Sequence, residues 1–423
     1  MENIQSQLAA LGVKIPEILM PRKGIDLKKW AVIACDQFTQ DRSYWDTVKK
    51  DVGDAPSTLN LIFPEVYLEE KDRQDRINKI QASMKGYLED GVLAPPKKSC
   101  VYVERSTPLH PLRRGLVLAV DLDRYDWSPL ARSLIRATEG TIKERLPPRM
   151  EIRRGASLES PHILLLVDDE KDAIIPALGN VAKKRAPLYD SPLMMNGGTL
   201  KGWTLEDEGE LALLAKGLKT LAESAPARYG VNDPAPFLFA AGDGNHSLAT
   251  AKAVWDEYRA AHAGETGIDN HPARWALVEL ENLYDPGISF EPIHRVIFGA
   301  KPETLLAFLS KAEDLDFSAV PGKPTLIAVK TKTPAIATAS LQPLLDSFVK
   351  QSGAVIDYIH GEEELSRLAA ESSRSAVGLL LPPVEKAGLF RTVAKSGPLP
   401  RKSFSMGEAL EKRYYMECRS LFE

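Results

Sequence analysis

Short apolar runs alternate with amphipathic, charge-rich stretches along the whole chain, the pattern of strands and helices following one another. Residues 30–35 (WAVIAC) read as a buried strand, 41–50 as a helix and 59–68 as an extended stretch. A long helix is expected over 71–90, where Ile77, Ile80, Met84 and Leu88 recur at three- and four-residue spacing. Strands are expected over 100–103 and 115–121, joined by the Pro-rich turn around Pro108 and Pro111, and again over 162–167. Helices follow over 171–184 and 206–223. Residues 237–241 form a strand that runs through Gly242-Asp243-Gly244-Asn245-His246-Ser247 into a helix over 248–261. Residues 274–283 and 288–298 read as an antiparallel pair around Asp285-Pro286-Gly287.

The pattern restarts after Gly299-Ala300-Lys301-Pro302. Helices are expected over 303–314, 341–350 and 362–370, and strands near 325–330, 335–339, 355–359 and 376–381. A closing helix over 406–421 would dock through Tyr414, Met416 and Leu421 with its charges in solvent. The fold class predicted is α/β to α+β, with mixed sheets and flanking helices. The main domain spans 1–300, and a smaller α/β domain spans 301–423.

The length of 423 residues exceeds what one growing core supports, which agrees with more than one packed unit. With 44% hydrophobic and 26% charged residues, a disordered or collagen-like chain is excluded. Lys+Arg 54 against Asp+Glu 58 leaves a net charge of −4. That balance argues against nucleic acid as the main partner, since phosphate neutralisation supplies most of such affinity. Cys35, Cys100 and Cys418 form no C-x-x-C pair, which suits a reducing, cytoplasmic setting and removes thiolate zinc clusters. No secretory leader is read at the start, and apolar runs such as 163–167 and 377–381 are far too short for a membrane span. Walker A, G-x-S-x-G and H-E-x-x-H patterns are absent.

The strand–loop–helix at 237–261 carries the sharpest candidate chemistry. Two glycines allow close backbone approach, and the helix start offers unpaired N–H groups and a positive dipole end, a seat for an anionic ligand such as phosphate. Asp243 is a candidate metal ligand, Asn245 and Ser247 line the loop, and His246 is a candidate phosphate donor or acid/base. Lys252, about a turn further on, could reach back as a point charge. A locally satisfied turn, with Asp243 or Asn245 as cap, is the structural alternative. Arg136 to Arg149, with Glu139, Arg145 and Arg149, reads either as an anion clamp or as a charge-mixed helix ending at Pro147-Pro148. Asp36, at the end of the first apolar run, is a candidate base or a helix cap. His294 and Arg295 sit together near a strand, as cleft or core residues. The basic, aromatic tail of Leu399 to Met406 and Glu411 to Tyr415 closes over an anionic ligand, binds nucleic acid, or docks as a terminal helix with its charges in solvent.

ACDQFT with Tyr44-Trp45, GDAPSTLNLIFPEVYL, RATEGTIKERLPPR, GDGNHSLATAK, EPIHRV and LPRKSFSMGEALEKRYYMECR together resemble the domain-of-unknown-function family numbered ten-fifteen, often labelled ParB-like. The resemblance spans nearly the whole chain. The D-G-x-H element is similar to the loop of ParB/sulfiredoxin-type folds, including free-serine kinases, and Asp243, Gly244 and His246 match it. That likeness implies a cradle for nucleotide phosphates. Ser247 stands where an arginine commonly follows the histidine, so Arg145, Arg149 or Arg295 would have to supply the guanidinium. No cysteine occupies the loop, which speaks against sulfiredoxin chemistry.

The leading expectation is an enzyme binding ATP or ADP with Mg²⁺ held at Asp243, which transfers phosphoryl to a small hydroxyl compound such as free serine. Asp36 or Glu139 would be the base, and Arg145 with Arg149 would meet developing charge. A nucleotide- or nucleic-acid-binding regulator without turnover is the alternative. A hydrolase or isomerase acting on another anionic substrate in the same pocket is a third.

Overall fold

The computed structural model describes residues 3–332, 336–371 and 375–422. Two mixed sheets dominate a mixed α/β fold. In the larger one, the strands run in the order Tyr189–Pro192, Thr199–Leu205, Cys100–Ser106, Arg113–Asp121, Trp275–Asn282, Leu164–Val167, Phe239–Asp243, Ile135–Ala137 and Tyr125–Asp126. Val13–Lys14 pairs with Arg113–Asp121 off this path. The centre of the sheet is buried on both faces: every residue of Trp275–Asn282 is inaccessible, as are Leu164–Val167. Leu164–Val167 is accordingly an unbroken apolar run, whereas Trp275–Asn282 carries the buried Glu279 and Glu281, met by Arg413 and Arg113. The second sheet joins Phe290–Phe298 to Val355–His360, Ala376–Leu380, Lys323–Thr331, Leu315–Val320 and the short Phe404–Met406.

Several expected elements differ, each for a local reason. Residues 31–34 are fully buried but make only an isolated bridge, Ile33 with Tyr414. Their backbone is satisfied elsewhere: Val32 N donates to Thr58 Oγ1 at 3.3 Å and Ala34 N to the Arg413 carbonyl at 2.9 Å. Residues 59–68 coil into two tight turns, Thr58–Leu61 and Glu65–Tyr67, the first opened by the Ser57 hydroxyl on Leu59 N. The charged stretch after Arg136 is not a helix ending at Pro147-Pro148. Ile135–Ala137 is a strand, and the prolines instead open the helix Leu146–Arg153, where their missing N–H costs nothing.

Residues 274–283 and 288–298 do form strands, but not as a pair. Trp275–Asn282 already has both edges taken, by Arg113–Asp121 and Leu164–Val167, so Phe290–Phe298 enters the second sheet. Sheet membership therefore changes one strand before residue 300. Ala335 of the expected 335–339 strand lies outside the described residues, and Ala337 begins the helix Ala337–Ser352.

The expected closing helix over 406–421 is absent. Residues 411–419 run through the interior as an extended strap in which Tyr414, Tyr415, Met416 and Cys418 are each at most 2% exposed. Its charges are not in solvent. Arg413 Nε pairs with Glu279 at 2.6 Å and its Nη2 with Glu417 at 2.7 Å, while Arg419 pairs with Glu159 at 2.6 Å. A segment whose arginines have buried carboxylate partners gains nothing from the one-sided geometry of a surface helix. The strap returns to the body that holds the first sheet, where Tyr414 and Cys418 bridge Ile33 and Leu19 and Arg419–Ser420 pairs with Leu158–Glu159 in a small separate sheet, so the chain crosses between the two bodies twice.

Candidate functional site

Phe239–Asp243 ends beside Ile135–Ala137 and Leu164–Val167, and its last residues lead into a turn of Gly244 with φ +77°. Glycine is required there: a Cβ would lie 3.2 Å from the Cα and Cγ1 of Ile163. The helix Asn245–Ala261 begins at once, three residues earlier than its apolar pattern suggests, and no side chain caps it. Asn245 is turned inward. Its Oδ1 accepts from Thr138 N at 3.2 Å, and its Nδ2 donates to the Ala241 carbonyl at 3.2 Å. The first amides of the helix thus keep their donor capacity.

These residues floor a cleft of about 750 Å³ between the two sheets. Asp36, Glu139, Arg145, Arg149, Asp243, Gly244, Asn245, His246 and Ser247 all line it. Its far wall comes from the second sheet, with Ile293, Tyr358 and His360, and its roof from Arg401 to Lys412. Two non-glycine residues in left-handed conformation face it, Phe38 at φ 52° and Lys402 at φ 59°. Each costs on the order of 1–2 kcal/mol, so the surroundings must hold them. The Phe38 ring stacks on Tyr44 at 3.8 Å, and Lys402 N donates to Glu139 at 3.2 Å.

Each charged group has a defined assignment. Glu139 accepts from the amides of Lys402, Ser403 and Phe404 at 3.2, 2.9 and 3.4 Å, tying down the roof. Burial raises its carboxyl above the ordinary range, while those amides pull the other way. With both oxygens occupied, it is badly placed to serve as a base. Asp243 faces Lys412 Nζ at 3.2 Å. Arg149 donates to Glu65 at 2.8 Å and to the Arg145 carbonyl at 2.7 Å. Arg145 itself is exposed, and its guanidinium has no carboxylate partner among the described residues. Burial raises the Glu65 carboxyl, with Arg149 opposing and Asp36 reinforcing.

His246 accepts from Ile142 N at 3.2 Å through Nε2, which places its proton on Nδ1. Burial, then the charges of Arg149 and Arg145, lower its pKa to about 4 against the pull of Asp36. Nε2 is therefore spent on holding the 139–142 loop. Ser247 Oγ lies 2.8 Å from His162 Nε2, and His162 Nδ1 lies 2.9 Å from the Tyr415 hydroxyl.

His294 and Arg295 do not line the cleft. His294 Nδ1 accepts from Leu381 N at 3.1 Å, and Arg295 donates to Gln342 at 3.1 Å beneath the ring of Tyr358. Neither guanidinium nor imidazole reaches the loop, so the missing loop arginine is not supplied from there. Lys252 turns away to Asp256 at 2.6 Å. The thiol of Cys35 is driven well up by burial, which leaves no thiolate nucleophile. Among the described residues, no three metal-ligating side chains converge. Asp243 offers one carboxylate, enough for a magnesium ion that arrives on phosphates, although Lys412 already neutralises it.

Glu65 and Tyr358 also line the cleft without any motif spacing that singles them out, and His162 lies beside it, bound to Ser247 and to the Tyr415 hydroxyl. The basic run around Arg401 was one visible signal, because its extended alternative closes over the cleft.

The structure is that of a mixed α/β protein with a polar cleft between its two sheets. The chain belongs to the family described as protein of unknown function (DUF1015), whose profile matches residues 19–390. Among curated proteins none matches. Solved structures with a distant likeness include a free serine kinase in complex with AMP, at 10% identity over 71% of this chain and 90% of that one, with a TM-score of 0.36. A conserved hypothetical protein from Pyrococcus furiosus overlaps 72% of this chain and 94% of its own at 9% identity, with a TM-score of 0.34. SbnI from Staphylococcus aureus, truncated at its C-terminus, overlaps 73% and 83% at 10% identity, with a TM-score of 0.32. No helix among the described residues is long and apolar enough to cross a membrane.

Proposed function

We propose that the cleft binds a phosphorylated small molecule, in its fullest form ATP or ADP, with phosphate seated on the opening amides of Asn245–Ala261. The observation that carries this reading is the uncapped helix start on the floor of a cleft of about 750 Å³ whose rim holds the guanidinium of Arg145, without a carboxylate partner among the described residues. Lys402 and Arg401 add positive charge from the roof. The Nδ1–H of neutral His246 is a further donor.

The chemistry this supports is phosphoryl transfer to a small hydroxyl compound, free serine being the simplest acceptor. Transfer of this kind is mostly positioning and charge neutralisation. Asp36 takes the role of base, because Glu139 is consumed in holding the roof. Mg²⁺ would add charge neutralisation beside Asp243; Lys412 supplies part of it from the protein.

Titration calorimetry with ADP and with inorganic pyrophosphate tests the reading. Binding is expected, weakened about tenfold to a hundredfold by Arg145→Ala, the worth of one charge-assisted hydrogen bond. No heat from either probe at millimolar concentration, or an affinity indifferent to Arg145→Ala, would sink it. Phosphorus NMR of ATP or ADP with serine reads turnover separately; binding without product would favour a regulator.

A further inference from the structure

Behind the cleft lies a second, smaller chamber of about 150 Å³. Glu65, Arg149 and Ser247 line both spaces, so the two adjoin at that point. The inner walls are apolar, with Leu61, Ile62, Phe63, Met84 and Leu158. Its volume is about that of a site that takes a benzene ring, though this one is open on one side.

The polar groups in its walls are already satisfied. Arg149 is bound to Glu65 at 2.8 Å, and Arg153 to Glu159 at 2.7 Å. Ser160 Oγ donates to the Glu417 carbonyl at 2.7 Å, and Thr250 Oγ1 to the His246 carbonyl at 2.7 Å. Ser247, His162 and Tyr415 form their own relay at 2.8 and 2.9 Å, and the Tyr415 oxygen accepts from Cys35 N at 3.2 Å. A polar occupant would find few partners here, whereas an apolar one would be removed from water on the side that packs against Leu61, Ile62, Phe63, Met84 and Leu158.

We propose that this chamber receives the aliphatic or aryl group of a small amphiphilic ligand whose phosphate head lies in the cleft. The ligand class is then a phosphate ester of an alcohol with about five or six carbons, which narrows the small hydroxyl compound of the proposed function to one whose carbon chain fills the chamber. Ser247 stands where head and tail meet. The head-group half of this inference rests on the phosphate reading of the cleft; the chamber stands on its own walls.

A calorimetric series of n-alkyl phosphates from ethyl to octyl tests it on the full chain. Affinity should rise about fourfold per methylene and level off near pentyl or hexyl, as expected for carbon moved out of water into a space of fixed size. Ala156→Leu, which builds carbon into the chamber wall, should bring pentyl phosphate back to the affinity of ethyl phosphate and leave ethyl phosphate unchanged. Should Ala156→Leu fail to fold, benzyl alcohol on the wild-type chain gives the second measure: it should compete with pentyl phosphate but not with ethyl phosphate. Equal affinity across the series, with inorganic phosphate bound, overturns the chamber and spares the cleft. Failure of every phosphate, with thermal stabilisation by benzyl alcohol that Ala156→Leu abolishes, overturns the amphiphile and the phosphate reading together and leaves only an apolar cavity.

Discussion

At neutral pH the imidazole of His246 carries one proton, on Nδ1, because Ile142 N occupies Nε2 and two arginines stand nearby. The sign of the linkage follows from the lowered value. The unfolded chain takes up a proton near pH 6.5, while the folded one resists until about 4. This contribution to stability is complete above pH 6.5 and is lost as pH falls from there towards 4. Proton NMR should show His246 titrating near 4; Arg145→Ala should raise that midpoint, and bound pyrophosphate should raise it further by placing negative charge beside the ring. A midpoint at the ordinary value in the free protein would refute the arrangement. The residue types in this loop were legible from the order Gly-Asp-Gly-Asn-His because positive φ and a helix start are local properties. The division of labour among them was not. Asn245 faces Thr138, and Asp243 faces Lys412, both far away in sequence.

At the scale of one element, the turn between Phe239–Asp243 and Asn245–Ala261 is fixed by Gly244. Gly244→Ala places a Cβ in a left-handed conformation and against Ile163, so urea unfolding should show a loss of about 1–2 kcal/mol from the backbone alone. Gly209→Ala, in the first turn of Glu208–Tyr229 with open space around it, should instead gain a few tenths to about 1 kcal/mol. Equal effects at both positions would contradict this account. Helices and strands with strong periodicity were readable: Arg73–Glu89 and Arg113–Asp121 fall close to their expected places. Pairing was not, because the occupied edges of Trp275–Asn282 are a property of the assembled sheet.

For the whole molecule, the strap decides how the two sheets are held. Arg413 donates to Glu279, Glu417 and the carbonyls of Pro161 and Tyr414, all buried. Replacing only the arginine removes the ion pair from both Glu279 and Glu417 in the interior. Arg413→Ala should therefore cost about 3–5 kcal/mol by calorimetric or urea unfolding. A loss below about 1 kcal/mol would mean the buried pairs are not made. This part of the structure was illegible beforehand for a definite reason. EALEKRYYMECR has the composition of an amphipathic helix, and only partners at Glu159 and Glu279 reveal that its charges point inward.

The roof of the cleft, residues 401–412, runs directly into that strap. During synthesis from the N-terminus, the floor at 242–247 leaves the ribosome before its cover does, and Glu279 and Glu159 wait for Arg413 and Arg419 of the strap. On the proposed reading of the cleft, ligand capture would wait until translation has passed the strap, and a chain stopped before residue 401 would keep the loop glycines yet lack the roof.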